Sequence, residues 1–273
     1  MAKKNNGTLQ KYKTEIKEKK VAFTVYVLLR LFVIAVGIFS AINGSYENLF
    51  YCVLTIVLFT LPSFVEKKFD IDLPDTLEII ILLFIFAAEI LGELGSYYTR
   101  VPYWDTMLHT VNGFLCAAIG FALCDILNRN DKMKFKLSPL FLAITAFCFS
   151  MTIGVLWEFF EFYMDLFFGT DMQKDFVVKN ITSTLLGADT HNPFVAQNIK
   201  STVVNGVDLG IDGYLDIGLI DTMKDLLVNF VGAVVFSIIG FFYVKTRGKG
   251  RFAKMFIPKL KKIRKRGNIN ENK

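Results

Sequence analysis

Apolar residues in this sequence come in blocks about as long as a bilayer is thick, and that spacing limits the fold more than any other feature. Six blocks run over roughly 21–43, 46–65, 74–97, 104–127, 139–165 and 221–244. Each is near the ~20 residues needed to cross ~30 Å of hydrocarbon at 1.5 Å per residue. A soluble domain of 273 residues would instead scatter its apolar residues in short periodic patches. The predicted class is therefore all-α, a polytopic bundle of six transmembrane helices in contact with the lipid bilayer. The first block does not read as a cleaved signal peptide. It is too long, it follows twenty largely polar and basic residues, and Arg30 interrupts it.

Charge gives the orientation. Twenty-five of the 31 Lys and Arg residues lie in the N-terminal tail 1–20, the links 66–73 and 128–138, or the tail from Lys245 onward. By the positive-inside rule both termini are cytoplasmic, and the long 166–220 link is outside. The domains expected are a basic N-terminal tail 1–20, a membrane domain 21–245 containing that outer loop, and a basic C-terminal tail 246–273. The net charge of +6 then reflects topology and implies no nucleic-acid partner. In the C-terminal tail, Phe252, Met255, Phe256, Leu260 and Ile263 recur at roughly helical intervals among basic residues. This pattern suits an amphipathic segment on an anionic leaflet. A solvated positive tail fits equally well, and Pro258 works against a helix. The Gly-rich VNGVDLGIDGYLDIG part of the outer loop reads as turns, in a loop expected to fold back over the outer helix ends. Cys52, Cys116, Cys124 and Cys148 all lie in apolar blocks without CxxC spacing and read as small core residues.

The outer ends of four spans carry acids and amides where lipid-facing residues would be expected. The third ends in AAEILGELGSYY with Glu89 and Glu93, and the fourth begins YWDTMLHTVNG with Asp105, His109 and Asn112. The fifth ends WEFFEFYMD with Glu158, Glu161 and Asp165. The sixth begins DTMKDLLVNFVG with Asp221, Asp225 and Asn229. Spacings of three, four and seven place each set on one helix face. Four such stripes at similar depth would most simply line a shared outward-facing cavity. One ionised side chain at the bilayer centre costs ~2.5–3.5 kcal/mol on insertion scales, so about eight must be protonated, hydrated, paired or metal-bound. Arg30 is the one obvious internal counter-charge and is expected at the bottom of the cavity. The plainer reading makes the acids and the aromatics Tyr97, Tyr98, Tyr103, Trp104 and Tyr163 interfacial anchors, with Asp105 and Asp221 favouring helix starts.

Two chemistries suit the convergence. His109, Glu158 and Asp225, the expected centre and the expected ligands, could hold a divalent metal ion such as Zn, Mn or Mg. A metal there could activate water against a lipid-linked or envelope substrate, with a free carboxylate as base. Acid and His chains in membranes also relay protons or ions, so a coupled transporter is the alternative, although no internal repeat is visible. A structural or partner-binding role is the third. There is no Ser/His/Asp or Cys/His nucleophile order, phosphate loop or dinucleotide fingerprint.

The stretches WDTMLHTVNGF, GVLWEFFEFYMD and GYLDIGLIDTMKDLLVNFVGA resemble the signatures of the YjdF-like bacterial membrane proteins, a domain of unknown function. The match covers about residues 21–244. Its motif residues here are Asp105, His109, Trp157, Glu158, Glu161, Asp221, Asp225, Asn229, Gly232 and Ala233. More distantly the chain is similar to VanZ-like proteins, some of which are linked to glycopeptide resistance. The resemblance implies a bacterial plasma (inner) membrane and work on the outer face of the envelope. The outer loop of about 50 residues departs from the shorter relatives.

Overall fold

The computed structural model describes residues 20–69, 71–128, 136–246 and 253–260 and is mostly helical. Helix α1 (Lys20–Ile42) turns back through Gly44, at φ +70°, into α2 (Tyr46–Leu58) and α3 (Leu61–Phe69). A two-residue strand β1 (Ile71–Asp72) leads to α4 (Asp75–Phe86), which runs without a break into a π-helix, Ala87–Leu94. A single turn, α5 (Tyr97–Arg100), precedes α6 (Trp104–Asn128). The two remaining long helices are α7 (Pro139–Phe168) and α8 (Leu219–Lys245). Five helices, counting Tyr46–Lys68 as one, are long and apolar enough to cross a membrane. The expected third crossing differs from these, because its 20 residues divide between α4 and the π-helix.

The helix ends follow from local chemistry. The Ser138 hydroxyl caps α7 by accepting from the Phe141 N–H, and Pro139 fills the first turn, where its missing N–H costs nothing. Gly169 ends the same helix in the left-handed conformation that glycine adopts without strain. At the start of α8, Asp221 occupies the first turn, at the positive end of the helix dipole.

Helices α6, α7 and α8 form the tightest unit, with α6 and α8 side by side and α7 antiparallel to both. Glycine sets their approach. A Cβ at Gly113 would overlap the Asn229 carbonyl, and one at Gly232 would overlap the Thr110 carbonyl. Such small-residue contacts let helices pack in lipid, which offers no hydrophobic drive between them. Phe121, Phe236, Ala117, Ala118 and Ala233 complete this core with no exposure. A second cluster, Val33, Cys52, Phe59, Leu82, Ile85 and Ile90, joins α1, α2, α4 and the π-helix. Ile81 and Phe84 on α4 pack against both clusters and link them.

The 166–220 segment is not built of turns alone. Three small antiparallel pairs form it: β2 (Val177–Val178) with β7 (Tyr214–Leu215), β3 (Ile181–Ser183) with β4 (Phe194–Ala196), and β5 (Val203–Val204) with β6 (Val207–Asp208). The last is a hairpin whose Asn205–Gly206 tip has positive φ at both positions, the turn that matches strand twist.

The C-terminal segment also differs from expectation. Residues Ala253–Met255 make a 3₁₀ turn, Phe256 and Ile257 are buried in the main core, and β8 (Lys259–Leu260) pairs with β1. No amphipathic helix forms over 253–260, and proline at 258 supplies the reason. The N-terminal tail, much of the basic 128–138 link, Phe252 and Ile263 lie outside the described residues.

Candidate functional site

The stripes on α6, α7 and α8 meet where α6 and α8 begin and α7 ends. Helix α7 divides its residues by face. Glu158 and Glu161 are buried, whereas Trp157, Phe159, Phe160, Phe162 and Tyr163 on the other faces are exposed. The acids in that aromatic run are therefore covered by protein, and the rings lie on the exposed faces. His109 sits at the centre, 7% exposed. Its Nε2 lies 3.5 Å from Asp105 Oδ1 and 3.8 Å from Asp225 Oδ2. Its Nδ1 lies 3.8 Å from Glu158 Oε1.

Asp105, His109 and Asp225 each offer a ligand atom within 4.8 Å of the other two. A tetrahedral centre with bonds of ~2.1 Å puts its ligand atoms about 3.4 Å apart, so small inward shifts would complete a three-ligand set. Asp225 and Glu158 are 3% and 4% exposed, and both Glu158 carboxylate oxygens are buried without a hydrogen-bond partner. Among the described residues, the base within ion-pair distance of all three carboxylates is His109. A buried excess of negative charge on this scale is sustained only by protons or a bound cation. The side chain of Asp105 is the most open of these groups, at 32% exposed.

Below the centre lies a neutral floor. The Asn112 amide donates to Asn229 Oδ1 at 3.3 Å, Cys116 Sγ donates to Asn112 Oδ1, and Asn229 Nδ2 approaches the Ser150 carbonyl at 3.5 Å. Ser150 Oγ donates to the Gly113 carbonyl at 2.7 Å, tying α7 to α6. A Cβ at Gly154 would crowd the Asn229 amide, so glycine opens the space that Asn229 fills.

Above the centre, the segment after α7 is strapped down by aspartates. Asp165 accepts from the Thr170 hydroxyl and from the N–H groups of Met172 and Gln173, at 2.6–2.8 Å. Asp221 accepts from Lys174 N–H at 2.7 Å, and Asp216 from the Phe176 and Ile220 N–H groups. Gln173 Nε2 donates to Thr222 Oγ1, and both side chains approach Glu158. Trp157 Nε1 donates to Glu161 Oε1 at 2.8 Å.

The structure thus brings together Asp105, His109, Asn112, Glu158, Glu161, Asp221, Asp225 and Asn229. Four expected members lie elsewhere. Arg30 is not beneath the cluster: its guanidinium stacks on Tyr26 at 4.4 Å and donates to the Ile56 carbonyl on α2 at 3.4 Å. Asp165 holds the strap. Glu89 and Glu93, on the π-helix, lie near Tyr51 of α2. Tyr98 lies within electrostatic reach of both groups, Glu93 and Glu89 on one hand and Asp105 and Glu161 on the other. Burial, with those acids adding, pushes its phenol pKa well up. The group is a buried cluster rather than the walls of an open vestibule. Sequence reasoning missed Ser150, although Ser150, Gly154 and Glu158 form a stripe at four-residue spacing. It also missed Gln173 and Lys174, which carry no signal within the loop.

Comparison with known proteins bears on most of the chain. A family model described as "Predicted membrane protein (DUF2238)" matches residues 25–246. An "Uncharacterized protein" of Thermotoga maritima is 26% identical over 129 residues, 46% of this chain. The match spans 65% of that relative's own length. No solved structure matches.

Proposed function

Because the chain belongs to the DUF2238 family of membrane proteins, the chemistry has to be sought in a bilayer setting, and we propose that it holds a divalent cation and acts on an envelope lipid or glycan. In this reading the bundle crosses a bacterial plasma membrane six times, α4 and the π-helix making the third crossing, with both termini cytoplasmic. The charge pattern supports that orientation, and it puts the Asp105–His109–Asp225 group in the outer half. The observation that carries the proposal is the charge balance: three buried or half-buried carboxylates around one imidazole.

Mixed nitrogen and oxygen donors suit Zn, Mn or Fe better than Ca, and three protein ligands leave a position for water or substrate. A metal-bound water is a nucleophile near neutral pH, which fits hydrolysis of a lipid-linked or glycan substrate. Asp105, the most open ligand, marks the side of entry. Elemental analysis of protein purified in metal-free detergent buffer tests the reading. About one equivalent of metal is expected in the wild type and none in His109→Ala or Asp225→Asn. Affinity should fall as pH is lowered, because ligands bind deprotonated. A wild type that stays metal-free after loading with Zn²⁺ and Mn²⁺ overturns the proposal.

A further inference from the structure

The imidazole of His109 has two edges, and the structure gives them different company. The Nε2 edge faces Asp105 and Asp225, whereas the Nδ1 edge faces Glu158 alone among the ion-pair partners. Three acids around this centre are engaged elsewhere: Glu161 by Trp157, Asp221 by Lys174 N–H, Asp165 by the strap. Glu158 is 4% exposed, and although the Gln173 and Thr222 side chains stand near it, neither oxygen has a donor in hydrogen-bond geometry. A buried carboxylate left so is costly and calls for a partner that forms in the working state.

We infer that Glu158 is a positioning residue that accepts the Nδ1 proton of His109, fixing the tautomer that leaves the Nε2 lone pair for a cation held with Asp105 and Asp225. Neutral imidazole carries one N–H. Placed on Nε2, it would point at the two aspartates and give Glu158 no donor from the ring. Placed on Nδ1, it gives Glu158 its donor and turns Nε2 into a ligand. The 3.8 Å separation is longer than a hydrogen bond, and such contacts commonly tighten when a site is loaded. A cation on Nε2 lies at the opposite edge of the ring from Nδ1, so a carboxylate seated at Nδ1 orients the ligand instead of adding to the set. Carboxylate–histidine–metal arrangements work in this way, and losing the outer carboxylate typically costs 10–100-fold in affinity. The inference refines the expectation that Glu158 is itself a ligand, and it rests on the cation reading above.

Two readouts on the full chain in detergent separate the possibilities. In protein labelled with ¹⁵N-histidine, His109 should appear as the Nδ1–H tautomer in the wild type and shift toward Nε2–H in Glu158→Ala. Exposed His191 serves as the internal reference. This needs no metal, so it stands even if the cation reading fails. A wild-type ring protonated on Nε2, or on both nitrogens, overturns the inference. In Co²⁺ titrations, Glu158→Gln, whose amide oxygen still accepts, should bind one equivalent with an unchanged ligand-field spectrum. Glu158→Ala should bind about 10–100-fold more weakly, and Asp225→Asn should lose the site. If Glu158→Gln loses the site as Asp225→Asn does, Glu158 is a ligand. If Glu158→Ala binds as the wild type, it plays no part.

Discussion

At the scale of single residues, the cluster depends as much on what is small as on what is charged. Gly113 lies against the Asn229 backbone, so even a methyl there has no room that backbone movement does not supply. Gly113→Ala should therefore cost about 1–3 kcal/mol, read as a lowered Tm in detergent. The same change should weaken cation binding, because Asn229 sits one turn below Asp225. Much of this was legible in the sequence. Spacings of three and four placed Asp105, His109 and Asn112 on one stripe and Asp221, Asp225 and Asn229 on another, and the structure brings both stripes together. Arg30 was misjudged for a physical reason: a long cationic side chain in an apolar helix takes the nearest acceptor. Here that is the Ile56 carbonyl and the Tyr26 ring, not a distant carboxylate.

At the scale of elements, two features escape sequence reading. Nothing in AAEILGEL separates a π-helix from an α-helix, yet the change of register decides where Glu89 and Glu93 point. π-segments are frequent at functional sites, and this one lies against the Tyr98 ring at Gly92, within electrostatic reach of both acidic groups. The C-terminal segment escapes too, because its aromatic residues suit a leaflet as well as a core. Phe256 is 6% exposed and meets Phe114 edge-to-face at 5.0 Å. Phe256→Ala should remove about 3–5 kcal/mol of packing. It should also expose the segment beyond Lys245 to limited proteolysis, while an outward-facing Leu140→Ala change leaves the digestion pattern unaltered.

At the scale of the whole molecule, two packed groups share one bundle: α6–α8 with the polar centre, and α1, α2 and the π-helix beside them, joined by α4. The strap after α7 lies over one end of the first group, and Phe256, Ile257 and the β1–β8 pair pack at the other. Six crossings would leave the 166–220 segment on the face opposite both termini. Protease added to intact spheroplasts should then cut within that segment and spare tags at either end. Cleavage of a terminal tag would instead imply an odd count, with the α4–π unit failing to cross.

The chain has only two tryptophans, and both belong to the neighbourhood of His109. Trp104 opens α6 one residue before Asp105, its indole packed on Tyr97, and Trp157 holds Glu161 through its ring nitrogen. One sits at the head of the helix that carries the imidazole, and the other on the rim between the acids and the lipid. Any event that recharges or rehydrates the centre changes the electric field at these two indoles and at no others. The intrinsic ultraviolet emission of this protein is thus an optical signal of its polar centre, available in native vesicles without a label.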